Sequence, residues 1–161
     1  MNLFASAPLW LIAIFTLLLV LAAAEDAVRL TISNLLVAAV LVAALAAMAL
    51  GGFSLGLWQN AAVFAAILAA GTILFAYGKM GGGDVKLFAA VGLWCDFRTA
   101  LVVLAAVFIT GGVLALLVIA TRTAVPAAAS GRLAALKRGA GIPYGVAIGA
   151  GTLLAMFLRL R

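Results

Sequence analysis

Long uncharged apolar runs, separated by short polar interruptions, constrain this chain more than any other feature. Leu3 to Ala24 carries no charge, and at about 1.5 Å per residue it reaches about 33 Å as a helix, enough to cross a hydrocarbon core. Leu35 to Leu50, Leu57 to Tyr77, Thr99 to Ala120 and Ile142 to Leu158 repeat the pattern, and Leu87 to Cys95 is a shorter run. A chain that is 69% hydrophobic and 9% charged, with a mean hydropathy of +1.39, is not expected to form a soluble domain. The expectation is an all-α polytopic membrane protein: one domain over residues 1–161, a bundle of about six transmembrane helices with a short fourth span. A signal peptide is disfavoured for the first run, because no Lys or Arg precedes it and it is too long.

The interruptions carry the charge. Glu25, Asp26 and Arg29 follow the first run, Lys79, Asp84 and Lys86 precede the short fourth run, and Asp96 and Arg98 end it. The stretch from Thr121 to Gly141 holds Arg122, Arg132, Lys137 and Arg138 with no acid, which the positive-inside rule places in the cytoplasm. The net charge of +6 is thus accounted for by topology and contact with anionic lipid, and no nucleic-acid partner is expected. With six spans, Asp26, Asp84 and the basic loop share one face. If the short run is re-entrant, the basic loop moves to the opposite face, but the two aspartates stay together. Lys79 and Lys86 favour the first arrangement.

Acidic residues beside membrane spans are functional candidates by default. Asp84 follows Gly81-Gly82-Gly83, three residues expected to interrupt regular helix, to admit positive φ and to leave room for an approaching peptide. The chain has no His and a single Cys95, so histidine catalysis and multi-cysteine zinc sites drop out, and no cofactor or metal is expected. Two carboxyl groups at matching depth remain. When such groups share a site their repulsion leaves one neutral and one ionised, a general acid and a general base. Other readings are simpler: Asp26 pairing with Arg29 in a solvated loop, Asp84 capping the short helix, Asp96 pairing with Arg98, and Gly141, Gly145 and Gly149 forming one small-residue helix face.

Gly81-Gly82-Gly83-Asp84 fits the Gly-x-Gly-Asp signature of intramembrane aspartyl proteases. Gly-Gly-Asp-Val-Lys-Leu, followed by Leu93-Trp94, resembles the prepilin peptidase branch. In that branch the other aspartate is followed by a basic residue and, eight positions on, by the Asn of an Ile-Pro-Asn triplet; Asp26, Arg29, Ile32 and Asn34 match, with Ser33 in place of the proline. Ile142-Pro143-Tyr144-Gly145-Val146-Ala147-Ile148-Gly149 is similar to the short form of the family associated with tight-adherence or Flp pili. The resemblance implies that Asp26 and Asp84 are the catalytic pair, with Gly81, Gly83, Lys86, Arg29 and Asn34 binding substrate or shaping the site. It implies a bacterial inner-membrane endopeptidase that cuts the basic leader of a type IV pilin-like precursor at the cytoplasmic face. Larger members methylate the new N-terminus and carry a cysteine-rich segment; with one cysteine here, cleavage alone is implied. A proton-coupled transporter or channel subunit is the alternative from another class, since intramembrane acids beside broken helices also mark ion pathways.

Overall fold

The computed structural model describes residues 1–52, 54–124 and 141–159, and no strand occurs among them. Arg132, Lys137, Arg138 and Arg161, which figure in the topological expectation, lie outside the described residues. The helices are α1 (Leu3–Ser6), α2 (Leu9–Arg29), α3 (Asn34–Gly51), α4 (Leu57–Ala76), α5 (Gly82–Gly92), α6 (Phe97–Ala124) and α7 (Tyr144–Arg159).

The apolar run expected from Leu3 to Ala24 is not one helix. Pro8 has no N–H to donate and forces Ala7 into extended backbone (φ −74°, ψ 149°), so α1 ends and α2 starts afresh. At its other end α2 continues past the apolar residues through Glu25 and Asp26. Ala, Glu and Arg are good helix formers, so the polar residues lengthen the helix instead of ending it. Leu30 terminates it in the left-handed region (φ 56°), its N–H bonding the Asp26 carbonyl at 2.8 Å.

Among the described residues four helices, α2, α3, α4 and the 97–122 portion of α6, are long and apolar enough to cross a membrane. Their outer faces leave Trp10, Leu17, Val42, Leu101, Phe108 and Leu116 exposed, which suits hydrocarbon and would be an aggregation hazard in water. The protein is a multi-pass membrane protein. Of the six helices that follow α1 among the described residues, the fourth, α5, is the shortest. At 11 residues, about 16 Å, α5 survives because it is an inner helix: Val85, Leu87 and Ala89 to Gly92 are buried against α4, α3 and α7.

Close contacts fix the direction of each helix. A Cβ on Gly71 of α4 would meet Val85 of α5, and one on Gly92 would meet Val63 and Ile67, so α4 and α5 are antiparallel. Asn60, near the start of α4, donates to the carbonyls of Met1 and Leu93 at 2.9 and 3.0 Å, pinning the far end of α5. The Trp58 and Phe97 rings meet at 5.3 Å, so α6 starts at that same far end and climbs back. Gly151 of α7 lies against the Val107 backbone of α6, and Gly149 against Leu19 and Ala23 of α2. The end of α6 and the start of α7 therefore share a face with the end of α2 and the start of α5, which is the six-helix alternative. Arg122 bridges across that face, donating to the Gly141 carbonyl at 2.8 Å.

The far end is held by aromatics. Trp94 is fully buried, stacked on Phe4 at 5.8 Å and tilted against Phe15 at 4.3 Å, and its indole N–H donates to the Val40 carbonyl at 3.3 Å. Below it, Leu3 N–H donates to the Trp94 carbonyl at 3.1 Å, so α1 closes the bottom of the bundle.

Candidate active site

Asp26 is the last member of a buried stripe. Leu11, Phe15, Leu19, Ala22 and Asp26 recur at spacings of three and four along α2, which puts them on one helix face. The stripe that builds the core therefore carries a carboxylate inward, leaving Asp26 only 2% exposed. It does not occupy a solvated loop, and it does not pair with Arg29. Arg29 turns outward and meets Glu25 at 3.7 Å, and Glu25 also accepts the Ser33 N–H at 2.9 Å.

What meets Asp26 is the amino end of α7. Its Oδ2 accepts the Gly145 N–H at 2.7 Å, while the next amide, Val146 N–H, donates to the Pro143 carbonyl at 3.2 Å. The first turn of a helix has N–H groups without intrahelical partners and the positive end of the helix dipole, so it suits a carboxylate. The approach depends on glycine. A Cβ at position 145 would fall 2.9 Å from the Asp26 Cβ and 2.7 Å from the Ile32 Cδ1.

Asp84 arrives from α5. Gly81 is the N-cap residue in extended backbone (φ −71°, ψ 144°), Gly82 and Gly83 are the first two helical residues, and Asp84 is the third. The glycines thus start a helix instead of interrupting one, and none of the three has positive φ. Their value is close approach: a Cβ on Gly83 would sit 3.2 to 3.3 Å from the Ile32 side chain and backbone, and one on Gly82 would press on the Phe75 ring. Asp84 is not the cap residue either. From the third position its carboxyl folds back over Gly81 toward that residue's N–H, as the acid of a capping box does.

Both carboxyl groups therefore converge on one point. The charge of Asp26 acts directly on Asp84, and the Gly145 amide that bonds Asp26 faces Asp84 as well. Asp84 is 8% exposed, and its Oδ1 is buried with no hydrogen-bond partner among the described residues. Among the described residues no Lys or Arg side chain bonds either carboxyl. A partly shielded pair of acids held at the start of a helix, with one oxygen unoccupied, can exchange protons with a bound water or carbonyl.

The remaining expected residues form the rim. Exposed Lys86 Nζ donates to Oδ1 of exposed Asn34 at 3.0 Å, linking α5 to the start of α3. Ser33 holds φ at −68°, the value a proline would impose, and its Oγ caps α3 by accepting the Leu36 N–H at 3.4 Å. Unlike proline it also uses its own N–H, on Glu25. Asp96 caps α6 by accepting the Thr99 N–H at 2.8 Å, so it has a structural role beyond the expected pairing with Arg98. Of the expected glycine face, Gly145 and Gly149 do pack on α2, whereas Gly141 precedes the helix with nothing within 4 Å of its Cβ position. The Gly145 N–H is the site component that sequence reasoning missed, because a backbone amide leaves no mark in a residue pattern. The clue available was Gly145 itself, directly after Pro143-Tyr144 at the start of an apolar run.

A family model described as the type IV leader peptidase family matches residues 13–116, a span that contains both aspartates and ends before α7. No curated protein and no solved structure matches the chain closely enough to report.

Proposed function

The chain belongs to the type IV leader peptidase family, a membrane peptidase whose substrate is a protein, and from that premise we propose that it is an aspartyl endopeptidase working through Asp26 and Asp84. Its substrate in this reading is the basic leader of a type IV, Flp-type pilin-like precursor. The whole chain, 1–161, acts as one domain in the bacterial inner membrane and cuts at the cytoplasmic face. The observation that supports the pairing is the convergence of two buried carboxyl groups on the Gly145 amide. The cytoplasmic address draws support from Lys79, Lys86 and Arg122, which belong to the same face of the bundle as the acids.

In this mechanism one carboxylate takes a proton from water as the water oxygen bonds to the peptide carbonyl carbon, and the neutral carboxyl gives its proton to the carbonyl oxygen. Collapse of the resulting diol breaks the C–N bond. The first carboxyl passes its proton to the departing amine, and the second recovers one from the diol, restoring the pair. General acid–base assistance of this kind contributes about 10²–10⁴-fold.

Membranes containing the protein are expected to convert a leader-bearing pilin precursor into two products cut after the basic segment, detected by a mobility shift and by the mass of the new N-terminus. A proton-coupled transporter would instead acidify or alkalinise vesicles in response to a solute with no precursor present. Flux without cleavage would replace the peptidase reading.

A further inference from the structure

The two aspartates are not equivalent in their surroundings. Asp26 Oδ2 is bonded at 2.7 Å by the N–H of the second residue of a 16-residue helix. Asp84, more than nine-tenths buried, turns one oxygen toward the Gly81 amide, while its Oδ1 has no donor among the described residues. A hydrogen bond from a helix amino end favours a negative charge on its acceptor. A buried carboxyl oxygen with no donor adds nothing to the stability of the anion, but as O–H it can donate to an incoming acceptor.

Resting on the dyad reading above, we infer that the amino end of α7 is a working part of the site: the Gly145 N–H holds Asp26 as the base that takes the water proton. Asp84, through Oδ1, is then the acid that meets the peptide carbonyl. The other charged groups nearby are occupied elsewhere. Glu25 is held by Ser33 and Arg29, and Lys86 by Asn34, so among the described residues the Gly145 amide of α7 is the donor that answers the Asp26 charge. The proton path is then directional. Water gives its proton to Asp26 as its oxygen bonds to the carbonyl carbon, while the Asp84 proton moves to the carbonyl oxygen. As the C–N bond breaks, Asp26 delivers its proton to the amine nitrogen and the diol returns one to Asp84. Gly145 is a positioning residue, acting through its backbone N–H on Asp26.

The chain has only four Asp and Glu side chains, so a protonated-carboxyl C=O stretch can be assigned by substitution. Infrared spectra of the full chain in phosphatidylcholine–phosphatidylglycerol vesicles at neutral pH are expected to show that band in the wild type and in Asp26→Asn, and to lose it in Asp84→Asn. Absence of the band from the wild type, or its survival in Asp84→Asn with loss in Asp26→Asn, overturns the assignment. Gly145→Ala places a Cβ against Asp26 and is expected to lower kcat about 10-fold or more with KM within about twofold, the loss of one charge-assisted hydrogen bond. If that protein does not accumulate, Ile32→Val with Gly145→Ala removes the Cδ1 that the new methyl meets at 2.7 Å. Unchanged kcat, or an effect confined to KM, overturns the role of α7. A wild-type protein that cleaves no precursor sinks the peptidase reading, while the infrared comparison still decides which aspartate holds the proton.

Discussion

Asp26→Asn and Asp84→Asn are each expected to reduce precursor cleavage by about 10²–10⁴-fold, the range of a lost general acid or base, with protein levels unchanged. The substitutions are close to isosteric. An Asn at 26 retains an oxygen that can accept the Gly145 N–H, and an Asn at 84 replaces a carboxyl that no Lys or Arg among the described residues bonds, so no cation is stranded. Loss of activity would therefore report chemistry and not folding. The losses should not add in the double variant, because groups acting as one unit fail together. Glu25→Gln is the control, since Glu25 is one position from Asp26 and ties Arg29 to the start of α3. It is expected to keep wild-type cleavage. Activity lost in Glu25→Gln and kept in Asp26→Asn would move the base by one residue and reject the site as described.

The second large effect is expected at Gly83. A Cβ there stands 3.2 Å from the Ile32 Cβ and 3.3 Å from its backbone N and O, so a branched side chain meets main chain that cannot rotate aside. Gly83→Val must therefore push the first turn of α5 away from the α2–α3 connection, and Asp84, one residue on, moves with it. A displacement of about 1 Å costs about 10²-fold when reacting groups have to be aligned. Cleavage in Gly83→Val should fall by about that factor or more, whereas thermal stability falls by the about 1–3 kcal/mol usual for overpacking. Gly78→Ala is a poor comparison because φ there is +67°; Gly112→Ala, with nothing within 4 Å, should leave activity unchanged. Wild-type cleavage in Gly83→Val would show that the close approach of α5 to Ile32 does not set the distance between the acids.

How much of this was legible in the sequence depends on what each residue does. The number and order of the hydrophobic helices followed from charge-free runs, because a bilayer leaves few other ways to satisfy backbone groups. Helix ends did not follow, since polarity marks where hydrocarbon stops and not where hydrogen bonding stops. This is why α2 runs on through Asp26, and why Pro8 divides a run that is apolar throughout. The spacing Leu11, Phe15, Leu19, Ala22, Asp26 was available and would have turned Asp26 inward; it was obscured by reading the charged residues as a loop. At 81–83 the glycines were visible but their use was not. The φ values are ordinary, and the need for glycine comes from Ile32 and Phe75, which are remote in sequence. Arg29 stood at the right spacing for Asp26 and bonded Glu25 instead, because an i,i+4 partner was on offer outside the core. The contribution of α7 was hidden most completely, since its donor is a main-chain N–H and its acceptor lies 119 residues away.

The proposed dyad requires Asp26 and Asp84 to form one site in the resting protein. Its most direct test is cross-linking of Asp26→Cys/Asp84→Cys in a Cys95→Ala background with a short bis-thiol reagent, in vesicles and without peptide. Rapid linkage between positions 26 and 84, absent from either single-cysteine protein, is the predicted result. No linkage under conditions where both thiols react with a monofunctional reagent would mean that the two carboxyl groups are apart, and would contradict the shared site.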